Sequence, residues 1–377
     1  MKFILPLLAC LSAQADIFGV AHYGDNHASF AGAARNYYWT NCVPWILSHT
    51  NDGVFNIAGV VWTGDCFEDN VSITNNYDPS ALATNGPIGS GGSAMATIQL
   101  TNDARILAQS GLMFHVTDGN HDANNTNGTV GWCHGTPTTL WNDAFVPALW
   151  TNQSYFVTNK DAGVYNNMVM KFQRAGLKLK FISYHTEAES YAYPPITYSN
   201  QTAWVIQQMR ADPDYNCIIT AHYFLGQSSN SFYDICPSYK DHNPGYAAYQ
   251  IGPGNAPIEL GILREPNLLG FMSGHNTRLL KGIYTTNAAD GHQVFFVQMN
   301  QQSQPSRQTS DCIDLLTFDT VNSTVTVRTY IISTRTWLND YDVNNNFVNT
   351  DWPGGFRHNL TVPLPIRPRS HPVWRRQ

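Results

Sequence analysis

The strongest constraint on what this chain can fold into is a repeated device: a short apolar run that stops at a polar step. Residues 17–23 stop before Asp25-Asn26-His27, and residues 55–62 stop before Gly64-Asp65. Residues 112–116 lead into Gly119-Asn120-His121-Asp122, residues 217–220 into His222, and residues 268–272 into Gly274-His275. Apolar runs this short, bounded in this way, read as buried strands. Helical patterns fall between several of them, over residues 36–48, 97–109 and 201–210. In the first of these, Trp39, Val43 and Leu47 share a face. Strands alternating with helices predict an α/β fold with crossover connections.

The polar steps place carboxylate, imidazole and amide oxygen at the tips of several strands. Such mixed oxygen and nitrogen donors suit a pair of metal ions. The chain carries D-x-H at Asp25 and His27, G-D at Gly64-Asp65, and G-N-H-D from Gly119 to Asp122. A lone His222 follows, and then G-H at Gly274-His275. In this order the motifs resemble the calcineurin-like metallophosphoesterase superfamily, over roughly residues 17–330. The late segment, with its strand Thr324-Val325-Thr326-Val327-Arg328-Thr329-Tyr330, is similar to secreted members and distantly to purple acid phosphatases.

The resemblance implies two mixed β-sheets packed face to face with helices outside. It implies two divalent or mixed-valence metal ions, zinc, iron or manganese. Asp65 would bridge the ions, Asp25 and His27 would hold the first, and Asn120, His222 and His275 the second. His121 would protonate the leaving oxygen or stabilise charge there, and Asp122 would orient it. The implied reaction is hydrolysis of phosphate mono- or diesters by metal-bound hydroxide. The partner is a small phosphate ester.

Two positions depart from the pattern. Thr277 stands where the final motif usually has a second histidine, so the first ion has fewer strong ligands. His292 and Gln298 are candidate substitutes. His22, also on the first run, competes with His27 as a ligand, although strand alternation points it to the face opposite Tyr23. Glu68 lies three residues after Asp65, where purple acid phosphatases have a ligand tyrosine, which argues against a ferric–tyrosinate centre. Thr277 also keeps open a different class: an extracellular binding protein, catalytically impaired, on the same scaffold. The intact His121 argues against that class. No His-Glu-x-x-His helix supports a metalloprotease.

Residues 1–15 read as a secretory signal peptide, with Lys2, an apolar stretch over 3–11 and Ala13-Gln14-Ala15 before a cut at Asp16. The apolar stretch is too short to cross a bilayer, which takes about 20 residues. Residues 16–377 are expected to form one phosphoesterase domain with 331–377 as a C-terminal extension. Seven sequons, at Asn70, Asn124, Asn127, Asn152, Asn200, Asn322 and Asn359, fit a glycosylated secreted chain. Cys42, Cys66, Cys133, Cys217, Cys236 and Cys312 remain after removal of the leader, an even set suited to disulfides. Cys66, beside Asp65, could instead be a buried thiol or a ligand. The formal net charge of −6 disfavours tracking a nucleic-acid duplex. Residues 225–257 read as a long loop over the site, with Tyr223, Phe224, Phe232 and Tyr233 as aromatics for stacking or packing.

Overall fold

The structure is a computed structural model that describes residues 17–24, 37–64, 66, 102–119, 145–161, 164–184, 198–222, 261–274, 281–299, 312–337 and 359–367. Among these residues the strands form two seven-stranded mixed sheets. The first contains β1 (Ile17–Tyr23), β2 (Ile57–Thr63), β3 (Met113–Thr117), β11 (Cys312–Asp319), β12 (Thr324–Ile331), β13 (Thr336–Trp337) and β14 (Asn359–Pro363). Its order is β13-β12-β11-β1-β2-β3, with β14 also on β12. The second contains β4 (Phe156–Asp161), β5 (Val164–Arg174), β6 (Leu177–Ser183), β7 (Asn216–Thr220), β8 (Leu268–Ser273), β9 (Lys281–Asn287) and β10 (Gln293–Met299). Its order is β4-β5-β6-β7-β8-β10-β9. The helices are α1 (Tyr37–Ser48), α2 (residues 102–109) and α3 (Tyr198–Ala211).

Each sheet has a parallel centre, β1-β2-β3 in one and β6-β7-β8-β10 in the other. Parallel strands need long crossovers and are covered on both faces, so their sequences are apolar nearly throughout. β2 and β7 are buried at every position. Alternation then assigns the faces. Phe18 of β1 meets Phe172 of β5 edge-on at 5.9 Å, so its face looks across to the second sheet. Tyr23, of opposite parity, meets Cys42 of α1 on the outer face. Trp62 and Phe114 share that outer face at 4.8 Å, and Phe114 continues to Trp150 at 5.3 Å. One apolar core joins both sheets, α1 and α2, and a second lies where Val205 and Met209 of α3 cover β7, β8 and β10.

The expected α/β class, with two mixed sheets and flanking helices, is what the chain forms. Two details differ from the sequence reading. In the sequence, residues 293–299, 313–318 and 324–332 read as strands of a second antiparallel sheet. Instead β10 lies parallel to β8, while β11 and β12 pair antiparallel beside β1. The cause is visible in β10, whose Val294, Phe295, Phe296 and Val297 are all buried, as befits an interior strand. Residues 359–363, within the expected C-terminal extension, add to β12 as β14. Just beyond, Ile366 exchanges two 2.9 Å hydrogen bonds with the Asn216 amide and so ties the first sheet's edge to the foot of β7.

The expected disulfides are corrected for the four described cysteines. Cys42, Cys66, Cys217 and Cys312 are buried thiols rather than halves of disulfides. Each is packed into an apolar core, where a thiol serves as a small hydrophobe. Burial pushes the Cys217 thiol up to about 12, and Asn267 donates to its sulfur at 3.4 Å. Cys133 and Cys236 lie outside the described residues.

Candidate metal centre at the strand tips

The parallel strands of both sheets end in one place. Gly64 follows β2 with φ +82°, a left-handed conformation that favours glycine. A Cβ added there would lie 2.5 Å from His222 Nδ1 and 2.9 Å from Gly119 Cα. A Cβ on Gly24, after β1, would collide with the Met299 carbonyl of β10 and lie 3.0 Å from Gly274 Cα. The absence of side chains at these positions is what lets six strand ends meet. Four of the converging residues, Gly24, Gly64, Gly119 and Gly274, each directly precede a predicted ligand: Asp25, Asp65, Asn120 and His275. Ligand sites of open parallel sheets lie at the carboxyl ends of strands, as here.

His222 is the predicted ligand that the structure describes, and it is almost wholly buried. Its backbone carbonyl accepts a 2.6 Å hydrogen bond from Gly274 N, extending the β7–β8 pairing past the strand ends. Its ring reaches the other sheet, where Nδ1 donates to the Thr63 carbonyl at 2.9 Å. A carbonyl only accepts, so a hydrogen sits on Nδ1, and in the neutral form of the ring the lone pair is then on Nε2. Metal-binding histidines are commonly fixed in this way, one ring nitrogen anchored by a carbonyl and the other presented to the ion. The donor chemistry of His222 therefore fits a metal ligand.

Beneath the tips runs a buried polar layer between the sheets. On the first sheet a row crosses four strands. Thr329 Oγ1 donates to Asp314 at 3.0 Å, Asp314 lies 3.5 Å from His22 Nδ1, and His22 Nε2 lies 3.1 Å from Thr63 Oγ1. Thr63 Oγ1 in turn donates to the Tyr23 carbonyl at 3.1 Å, joining the ends of β1 and β2. With that hydroxyl proton committed, Nε2–H is the donor to Thr63, and Nδ1 faces the Asp314 carboxyl. His22 is thus an interior side chain that braces Thr63, whose carbonyl anchors His222. A second contact crosses between the sheets: His115 Nε2 lies 2.6 Å from Thr220 Oγ1 and 3.2 Å from Ser183 Oγ. Burial lowers the His115 pKa to about 3, so its ring is neutral.

No family model matches the chain, and no curated protein matches it. Among solved structures it is similar to the crystal structure of a dimetal phosphatase from Danio rerio, at 10% identity and a TM-score of 0.46, over 92% of this chain and 99% of that one. That likeness is too distant to bear on the chemistry.

Of the predicted site residues, Asp25, His27, Asp65, Asn120, His121, Asp122 and His275 lie outside the described residues, as do Glu68, Thr277 and the loop over 225–257. Among the described residues no three His, Cys, Asp or Glu side chains gather as a metal site. His292 is excluded as the substitute for the missing histidine. Its Nε2 lies 2.6 Å from the Leu268 carbonyl at the start of β8, and its Nδ1 is engaged by Asp290. That places it at the amino end of β8 and β10, about 15–20 Å of strand away from the tips. Gln298 is at the correct end, its backbone paired with Ser273. Sequence reasoning missed Thr63, His115, Asp314 and Thr329. The signal was present in the form of single polar residues inside otherwise apolar strands, which need a buried partner.

Proposed function

We propose that this chain is a secreted, dinuclear metal-dependent phosphoesterase that hydrolyses phosphate mono- or diesters. The observation that carries the reading is the convergence of Gly24, Gly64, Gly119 and Gly274 on His222, held in the tautomer suited to a metal. Asp25 and His27 would hold one ion, Asn120, His222 and His275 the other, with Asp65 shared. When bound, two such ions supply Lewis acidity toward phosphoryl oxygens. His121 would give a proton to the leaving oxygen, and Asp122 would hold its ring in register. The Thr63 carbonyl keeps His222 from turning, and the His22–Asp314 pair keeps Thr63 in place.

Secretion is part of the proposal, supported by the leader pattern of residues 1–15 and by exposed sequon asparagines at Asn152, Asn322 and Asn359. Recovering from culture medium a mature chain that begins at Asp16 tests it. The enzyme reading is tested by metal content of the purified protein measured beside hydrolysis of aryl phosphate mono- and diesters. About two metals per chain with chelator-sensitive turnover supports it. One metal or none, with no turnover after addition of zinc, manganese or iron, favours the second reading, a binding protein in which Thr277 has weakened the first metal site.

A further inference from the structure

At the other end of the sandwich lies an open cleft of about 690 Å³. Met113, the first residue of β3, Tyr155, Phe172 and Tyr215 give it apolar and aromatic walls, and Lys171 and Arg174 give it positive charge. Its volume falls in the ordinary range for small-molecule sites. Arg174 closes β5 and pairs with Leu177, the first residue of β6. The cleft therefore sits at the amino ends of the parallel strands, about 20 Å along β6 from the metal-centre end.

Among the described residues the cations here outnumber the carboxylates. Asp212 is shared between Lys171 at 2.6 Å and Lys180 at 2.7 Å, one carboxylate for two ammonium groups. Among the described residues Arg174 has no carboxylate partner. Its polar contact is a 3.5 Å approach of Nη2 to Asn51 Oδ1, its guanidinium lies 6.0 Å from the Phe18 ring, and its Nε is buried with no hydrogen-bond partner. Burial lowers its pKa, the direction expected of a cation that no nearby anion compensates. Arg174 Nε is shielded, while Nη2 is exposed beside a cleft wide enough for a ligand, so the Nη groups are the donors that a carboxylate or phosphate would meet.

We infer that this cleft binds a small organic anion: an aromatic or apolar body between Tyr155, Phe172 and Tyr215, with a carboxylate or phosphate group held by Arg174 and Lys171. The site is independent of the proposed metal centre.

The test is calorimetric titration of the full-length, chelator-treated protein with benzoate and with phenylphosphonate. Wild type is expected to bind at least one, and the preference between them identifies the anionic group. Arg174→Gln is expected to weaken binding at least ~10-fold, as for loss of a charged hydrogen bond. Arg174→Lys, which keeps the charge and loses the paired Nη donors, should fall between and stands in if the glutamine variant fails to fold. His222→Ala should leave binding unchanged. No binding by wild type at millimolar probe overturns the inference, as does equal binding by the Arg174 variants. Binding that His222→Ala abolishes overturns it too, because the anion then sits at the strand tips.

Discussion

Gly64→Ala probes the close packing at the strand tips most directly. The left-handed φ of +82° costs an alanine roughly 1–2 kcal/mol. The new methyl must also displace something, since its Cβ would fall 2.5 Å from His222 Nδ1 and 2.9 Å from Gly119 N and Cα. Overpacking of this kind costs a further ~1–3 kcal/mol. The expected loss is about 2–5 kcal/mol, read from the urea midpoint at unchanged slope. Gly291→Ala is the matched control, because Gly291 has φ +89° and nothing within 4 Å of its added Cβ. It should lose only the roughly 1–2 kcal/mol of backbone strain. The difference between the two variants isolates the contact with His222 and Gly119. Gly64→Ala should also lower metal content and turnover, whereas Gly291→Ala should change neither. If the two variants match in stability, metal content and turnover, Gly64 does not hold the segments together and the convergence argument fails.

The other predictions concern the ligand and the polar layer. His222→Ala is expected to lose one metal equivalent, whereas His121→Ala should keep the metals and lose ~100-fold or more in turnover; unchanged metal content in the first or an equal rate in the second refutes the assigned role. Removing one partner of the buried His22–Asp314 pair by Asp314→Ala should cost ~3–5 kcal/mol, and replacing both with leucine should cost less; a double variant worse than the single one would show that the two side chains do not support each other. His115 titrates near 6.5 when unfolded and near 3 when folded, so between those values the unfolded chain binds a proton that the fold refuses. Its contribution is intact above pH 6.5 and is lost as pH falls toward 3, by up to ~5 kcal/mol in all. The stability gap between wild type and His115→Gln should shift with pH by that sense and order, and parallel curves would refute it.

The candidate site was legible in outline because its residues sit where periodicity breaks. Asp65, Asn120 and His275 each end an apolar run, and a strand end facing polar residues is a local signal. The bracing of the site was not legible. Nothing near Thr63 in sequence says that its carbonyl meets His222, because 159 residues separate them. His292 shows the converse, a plausible histidine by composition that lies at the amino ends of β8 and β10, away from the strand tips. The cysteines show how a count can mislead: six remain after the leader, but the four described are buried thiols. Composition alone cannot separate a thiol that fills a core from one that pairs.

The amino-acid sequence by itself determined the strands at the centre of each sheet and the α/β class, and it names the polar residues that follow the strand ends. Those features are local: they follow from apolar runs, their length and what ends them. Only the tertiary structure decided which sheet each late strand joins, the tautomer of His222, the row from Thr329 through Asp314 and His22 to Thr63, and the cationic cleft at Arg174. Each depends on distances between residues far apart in the chain. Those distances are set by packing two twisted sheets until their buried polar groups find partners.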